Sequence, residues 1–336
     1  MIISKIIQSD SIYYNVHAEQ TITGSFILGH SGLRLFENTL TLTTIDNIIN
    51  DIMRNKYRDN TIIFDFNKID DCQGNLKDKI VALLDYAKII AFTNIKLNIV
   101  ERLGLSIFKE WNTIEGEKYA CFCPYNKAID VSVNSTHEVF DCEFKKVLMK
   151  HINSNGSLIV HNSSSVYLTS YIDVKSFIIN EKELLIYAIY HLAIKMEEHW
   201  REEIANSHNK EKPILICQSL NSSYIASILS RLLKLDVLIL DQIGPINKLY
   251  RTLNQKIEEN RSYIVVSDLV CLGTEVKITK SLIDYLGGKY CGNVSIVRTE
   301  SILPEDKTLS NIETVFIINK DNYKELNYEI KTALND

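Results

Sequence analysis

The sequence predicts an α/β protein with a mostly parallel, helix-flanked sheet in its C-terminal half and a smaller α/β domain before it. Two observations carry this. Between Glu181 and Asn319, short apolar runs alternate with segments whose apolar residues recur at helical spacing. Residues 20 to about 105 show the same alternation on a smaller scale. A length of 336 residues agrees with two domains, because single hydrophobic cores stop growing before this size.

The N-terminal elements come first. Thr44 to Arg54 reads as a helix, with Ile45, Ile48, Ile49 and Ile52 on one face. Thr61 to Phe66 is a short apolar run of strand type, and Asn67 to Gly74 is polar and turn-rich. Lys77 to Ile90 has helical spacing at Ile80, Leu83, Leu84, Ala87 and Ile90. Asn94 to Val100 is a second strand. Residues 105 to 155 give mixed signals, although Phe140 to Ile152 fits a helix. We therefore divide the chain into a domain at 1–105, a connector at 106–156 and a domain at 157–336.

In the second domain, Glu181 to Ala205 is a helix with Leu185, Ile189, Leu192, Met196 and Trp200 on one stripe. After Pro213, Ile214–Cys217 is a strand, Ser222–Leu233 a helix and Leu235–Leu240 a strand. Lys248–Asn260 is polar and helical in pattern. Tyr263–Val266 is a buried strand, and Val276–Leu286 is a helix stopped by Gly287-Gly288. Gly292–Val297 and Thr314–Asn319 are the last strands. Such alternation implies right-handed crossovers, with ligands at the carboxyl ends of the strands.

Composition limits the function. The chain is 46% hydrophobic and 24% charged, as a soluble globular protein should be. No apolar run is long enough to span a bilayer, and Met1 to Asp10 lacks a signal-peptide core, so a cytoplasmic protein is expected. A net charge of −5 argues against a nucleic-acid partner. The seven cysteines are scattered, which suits free thiols. Cys121 and Cys123 form a C-x-C pair with no second pair, so strand cysteines are expected there rather than zinc ligands. Asp65, Asp70 and Asp71 are expected to be turn formers rather than metal ligands. His151, His161, His191 and His199 share no ligand spacing, and no metal site is expected.

Two loops carry the candidate chemistry. The first is Cys217-Gln-Ser-Leu-Asn-Ser-Ser223, entering a helix. Small polar residues there suit an anion, or act as a helix cap through Asn221 or Ser222. The second is Ser267-Asp-Leu-Val-Cys-Leu-Gly-Thr-Glu275, in which Gly273 permits a tight turn and Thr274 can cap or bind phosphate.

The run Tyr263-Ile-Val-Val-Ser-Asp268-Leu-Val-Cys-Leu-Gly273-Thr-Glu275 resembles the signature of type I phosphoribosyltransferases. Leu286 to Arg298 is similar to the next helix end and strand of that fold. Ser165 to Lys175 resembles the entry segment of orotate phosphoribosyltransferases. The resemblance spans residues 157 to 319. It implies that Asp268 meets ribose hydroxyls and that Ser219, Asn221, Ser222, Gly273, Thr274 and Glu275 line the ligand. It also implies that Lys248 and Arg251 lie on a basic mobile loop over pyrophosphate, with Mg2+ as cofactor. The departures are Ser267 for the first acid, Leu272 for Thr, Thr274 for Gly and Glu275 for Ser or Thr. Some 60 residues within the stretch from 20 to about 105 resemble a STAS-like domain, through the order helix, Phe64-Asp65-Phe66 strand end, polar turn, helix and strand; such modules serve interaction or regulation.

Two functions follow from these readings. One is a glycosyltransferase-class enzyme on a phosphoribosyl or nucleotide substrate, with Asp268, Lys248 and Arg251 as working residues. The other is a non-catalytic nucleotide sensor acting on a protein partner through the N-terminal domain, compatible with stress or phage defence. A homodimer is compatible with both.

Overall fold

The structure is a computed structural model. It describes residues 3–16, 39–87, 89–105, 108–113, 118–124, 136–153, 159–160, 167–168, 170–204, 212–240, 257–300, 311–319, 323–326 and 328. It forms two compact units, Met1–Cys142 and Glu143–Asp336.

The first unit contains Ser4–Ile7 (β1), Ser11–Asn15 (β2), Thr39–Leu40 (β3), Leu42–Asn55 (α1), Thr61–Asp65 (β4) and Asp71–Cys72 (β5). Lys77–Ala82 (α2), Ile89–Thr93 (β6), Ile95–Lys96 (β7), Leu97–Arg102 (α3), Phe108–Thr113 (β8) and Lys118–Pro124 (β9) follow. The main sheet has the order β1-β2-β4-β6-β9-β7, with β8 paired to β9. Its centre is parallel, β2 to β4 to β6. That register stacks Tyr14, Phe64 and Phe92 in one row, with ring centroids 5.8 Å and 5.6 Å apart. The row shares a core with Ile45, Ile48, Ile49 and Ile52 of α1, the face read from the sequence.

Two N-terminal expectations change. The helix expected over Lys77 to Ile90 ends at Ala82, with a 3-10 turn to Asp85, and Ile90 lies in strand β6. The strand expected over Asn94 to Val100 is only Ile95–Lys96, and Leu97 opens α3. A parallel strand buried on both faces is continuously apolar, so its period is ambiguous. Asp65, Asp70 and Asp71 are held by protein groups: Asp65 accepts from Asn94 Nδ2 at 2.9 Å, and Asp70 and Asp71 pair with Lys96 and Arg102. Cys121 and Cys123 lie on β9, as expected of strand cysteines.

The helix Thr136–Lys150 (α4) spans the division between the units. In the second unit come Ile152–Asn153 (β10), Ile159–Val160 (β11), Tyr167–Leu168 (β12), Tyr171–Ile172 (β13), Val174–Asn180 (α5), Lys182–His199 (α6) and Arg201–Ile204 (α7). Next are Ile214–Cys217 (β14), Leu220–Leu233 (α8), Val237–Ile239 (β15) and Ser262–Val270 (β16). Thr274–Tyr285 (α9), Lys289–Thr299 (β17), Ile312–Ile318 (β18) and Tyr323–Leu326 (α10) complete it. The sheet order is β15-β14-β16-β17-β18, parallel throughout. Helices flank it, since α6 and α8 pack on each other and on the sheet, and α9 packs on β16 and β17. The expected α/β class with a helix-flanked parallel sheet is what the chain forms.

The helix α6 is buried nearly all round, including Leu185, Ile189, Leu192 and Met196, because it lies inside the unit rather than on its surface. Its continuation to Ala205 is interrupted at Trp200, whose indole donates to Cys291 O. Lys195 Nζ donates to Thr314 O at 2.7 Å, tying α6 to the edge strand β18. Gly287 and Gly288 stop α9 as the sequence indicates. Gly288 N donates to Ile283 O at 2.9 Å and Gly287 N to Asp284 O at 3.2 Å, the Schellman pattern.

Between Tyr263 and Ile264 the ladder to β17 skips one residue, so Cys291 bulges and Gly292 adopts φ 150°. A Cβ there would lie 2.3 Å from Asn311 O and 2.7 Å from the Trp200 ring. We expect Gly292→Ala to lower the unfolding free energy in urea by more than about 2 kcal/mol. Gly74→Ala, with open space at its Cβ, should change it by less than about 1 kcal/mol. Equal midpoints would show that the bulge relaxes freely. In the first unit, Asp51 Oδ2 accepts from Tyr14 Oη at 2.6 Å and from the buried Lys5 Nζ at 2.7 Å. Asp51→Ala leaves that lysine buried and unpaired, and a loss of about 3–5 kcal/mol is expected by the same measurement.

Candidate functional site

Strands β14 and β16 are adjacent and parallel, yet the chain leaves them in opposite directions. From β14 it crosses to β15 on one side, and from β16 to β17 on the other. Adjacent loops that diverge this way open a crevice at the carboxyl ends of the strands.

The first loop is set by a cap. Ser219 is extended at φ −119° and ψ 160°, and its Oγ accepts from Ser222 N at 3.1 Å. Ser222 Oγ returns the favour by accepting from Ser219 N at 3.0 Å, so both serines close a capping box. The helix therefore starts at Leu220, and the expected cap at Asn221 or Ser222 is corrected to Ser219. The reason is that Ser-x-x-Ser satisfies two first-turn donors together. Asn221 is thereby released, and its Nδ2 donates to Asp268 Oδ2 at 2.9 Å.

The second loop begins later than the sequence indicates. Strand β16 continues to Val270, so Asp268 lies within the strand rather than at its end. Gly273, at φ 71° and ψ 6°, then turns the chain into α9, and its carbonyl accepts from Lys277 N at 2.9 Å. Thr299 Oγ1 donates to Cys271 O at 3.1 Å and fastens the loop to β17.

A cleft lies between the two loops. Gln218, Ser219 and Ser222 line one side, and Ser267, Asp268, Glu275 and Thr279 the other, over a floor of Val265 and Val266. It is a narrow cleft, about 220 Å³ of space when open solvent is included. Of the residues singled out in the sequence, Ser219, Ser222, Asp268 and Glu275 line it. Asn221 reaches it through Asp268. Gly273 and Thr274 form the cap and first residue of α9 and do not line it. Lys248 and Arg251 lie outside the described residues.

Three lining residues escaped the sequence reading as ligand candidates: Gln218, Ser267 and Thr279. Thr279 was findable, because it stands one helical turn after Glu275 on the same face. Its hydroxyl donates to Glu275 O at 2.7 Å, and Gln218 Nε2 donates to the same carbonyl at 3.4 Å, so the first loop touches α9. Tyr171, within the entry segment 165–175, does not line the cleft. Its hydroxyl pKa is raised, first by burial and then by the Asp173 and Asp268 carboxylates. At the end of β14, burial pushes the Cys217 thiol up to about 11, so it is protonated at neutral pH and offers no thiolate.

The cleft is electronegative. Asp268 and Glu275 carry carboxylates, and its described lining holds no Lys or Arg. Among the described residues, no group of three or more His, Cys, Asp or Glu side chains is arranged to hold a metal ion. No described helix is long and apolar enough to cross a membrane.

No protein-family model matches the sequence, and no curated protein matches it. Solved structures do resemble it. Orotate phosphoribosyltransferase from Aeropyrum pernix is 13% identical, over 55% of this chain and 98% of that one, with a TM-score of 0.38. Adenine phosphoribosyltransferase from Rhodothermus marinus is 15% identical over 53% and 99%, with a TM-score of 0.37. Orotate phosphoribosyltransferase from Mycobacterium tuberculosis is 10% identical over 53% and 96%, with a TM-score of 0.35.

The bond between Asn221 and Asp268 joins the two loops and is testable. A double-mutant cycle of Asn221→Ala and Asp268→Asn, read by urea unfolding, should give a coupling of about 0.5–1.5 kcal/mol. Additive effects would mean that the loops are not joined there in solution.

Proposed function

We propose that this chain is a phosphoribosyltransferase-fold protein that binds a nucleotide or phosphoribosyl ligand between β14 and β16. The observation that supports this most is Asp268, presented at the switch point and held there by Asn221. In this reading the Asp268 carboxylate accepts from a ribose hydroxyl. The Ser219–Ser222 turn faces the anionic end of the ligand, and Lys248 and Arg251 close over it. Mg2+ is commonly held by one or two carboxylates together with phosphate oxygens, and Asp268 and Glu275 offer that donor set. The ion would neutralise phosphate charge beside two carboxylates.

A second reading, binding without catalysis, draws on two residues. Ser267 replaces an acid with a neutral hydroxyl, and Glu275 puts a carboxylate in the first turn of α9, where a phosphate would otherwise meet free N–H groups. In that reading the protein is a cytoplasmic nucleotide sensor. Its STAS-like N-terminal domain engages a protein partner, a layout compatible with stress or phage defence.

Isothermal titration with phosphoribosyl pyrophosphate and Mg2+, and with a panel of nucleotides, tests the first claim. We expect saturable binding that Asp268→Asn weakens about tenfold or more, as loss of a charged hydrogen-bond acceptor should. No heat with any ligand would overturn it. Pyrophosphate release in the presence of purine and pyrimidine bases separates the two readings: release means a transferase, and binding without release means a sensor.

A further inference from the structure

The C-terminal segment of the second unit reaches the second loop. It is docked by burial, with Leu326 only 1% exposed and Tyr328 only 3%. Glu325 of α10 also pairs with Lys145 of α4, but that pair is open to solvent and contributes little. The Tyr328 hydroxyl lies 3.5 Å from Cys271 Sγ, in a buried contact where either atom can donate. A tyrosine buried to this degree places its ring in the core and its hydroxyl against polar or polarisable atoms. The two residues are 57 apart in sequence, so only the fold brings them together.

Cys271 stands where such a contact has consequences. It is the first residue after β16, two before Gly273, the cap of α9. Its carbonyl accepts from Thr299 Oγ1 at 3.1 Å, so β17 grips its main chain while Tyr328 meets its side chain. The three residues from Cys271 to Gly273 join the strand that carries Asp268 to the helix that carries Glu275, and both carboxylates line the cleft. A shift of Cys271 therefore moves one side chain of the cleft against the other. From the first loop, Gln218 meets Glu275 O at 3.4 Å, a long bond that restrains the helix start only weakly.

We infer that Tyr328 is a positioning residue for the cleft: its hydroxyl braces the second loop at Cys271 and so sets Asp268 and Glu275 relative to each other. Tyr328 does not itself line the cleft. The inference rests on the cleft being the ligand site.

The test compares the full-length wild type with Tyr328→Phe, Cys271→Ala and the double variant. Tyr328→Phe keeps the ring and removes only the hydroxyl, and circular dichroism and melting curves verify folding. Two quantities are read. One is amide exchange over residues 271–277 without ligand, a stretch that includes the bond from Lys277 N to Gly273 O, with β14 and β17 as references. The other is affinity for phosphoribosyl pyrophosphate with Mg2+ and for the 5′-monophosphates of adenosine, guanosine and uridine. Tyr328→Phe should speed loop exchange about threefold or more, with the references unchanged. It should weaken the probes that bind about two- to tenfold. In the Cys271→Ala background it should change neither quantity further. Unchanged loop exchange or unchanged affinity in a folded Tyr328→Phe variant overturns the inference and leaves the cleft standing as a ligand site. Additive effects in the double variant also overturn it, because Tyr328 then acts as a core side chain and not through Cys271. A wild type that binds none of the probes brings down the ligand site, and the inference with it.

Discussion

The parallel pairing of β14 with β16 is the constraint on which the second unit depends. Ile214, Leu215 and Ile216 lie beside Tyr263, Ile264 and Val265, all buried, so neither strand can shift without exposing apolar surface. Because the chain departs from these two strands in opposite directions, their following loops cannot cover each other. The crevice is therefore a product of sheet order, and the polar residues within it are placed by strands that the core fixes. The helix α6 adds to this fixity from β18, through Lys195 on Thr314 and His199 on Glu313.

A second consequence is that the loops are stiffened from within. The capping box of Ser219 and Ser222 uses both hydroxyls locally and sends the Asn221 amide outward to Asp268. Gln218 reaches the Glu275 carbonyl. Two loops separated by nearly fifty residues are thus joined by side chains that, taken from the sequence alone, look like a helix cap. Loops joined in this way have little conformational freedom left to lose.

Much of the fold is legible in the sequence for a physical reason. Where one face of an element is buried, the pattern has a clear period, as with Ile45, Ile48, Ile49 and Ile52 in α1. Where both faces are buried the period is lost, and Ile90 in β6 then fits a helix as readily as a strand. The candidate site divides in the same way. Asp268, Ser219, Ser222 and Glu275 are readable because loop composition marks them. The bond from Asn221 to Asp268 is not, because it depends on β14 and β16 being neighbours, which no local pattern encodes.

The departures from the phosphoribosyltransferase pattern then form a set rather than a scatter of losses. Replacing an acid by Ser267 removes one negative charge from strand β16, and Glu275 adds one at the start of α9. The carboxylate total is kept while its position moves from strand β16 to the first turn of α9. The Ser267 hydroxyl can both donate and accept where a carboxylate only accepts. A carboxylate in the first turn of α9 suits the positive end of the helix. Each change suits the element that holds it, Ser267 within strand β16 and Glu275 in the first turn of α9.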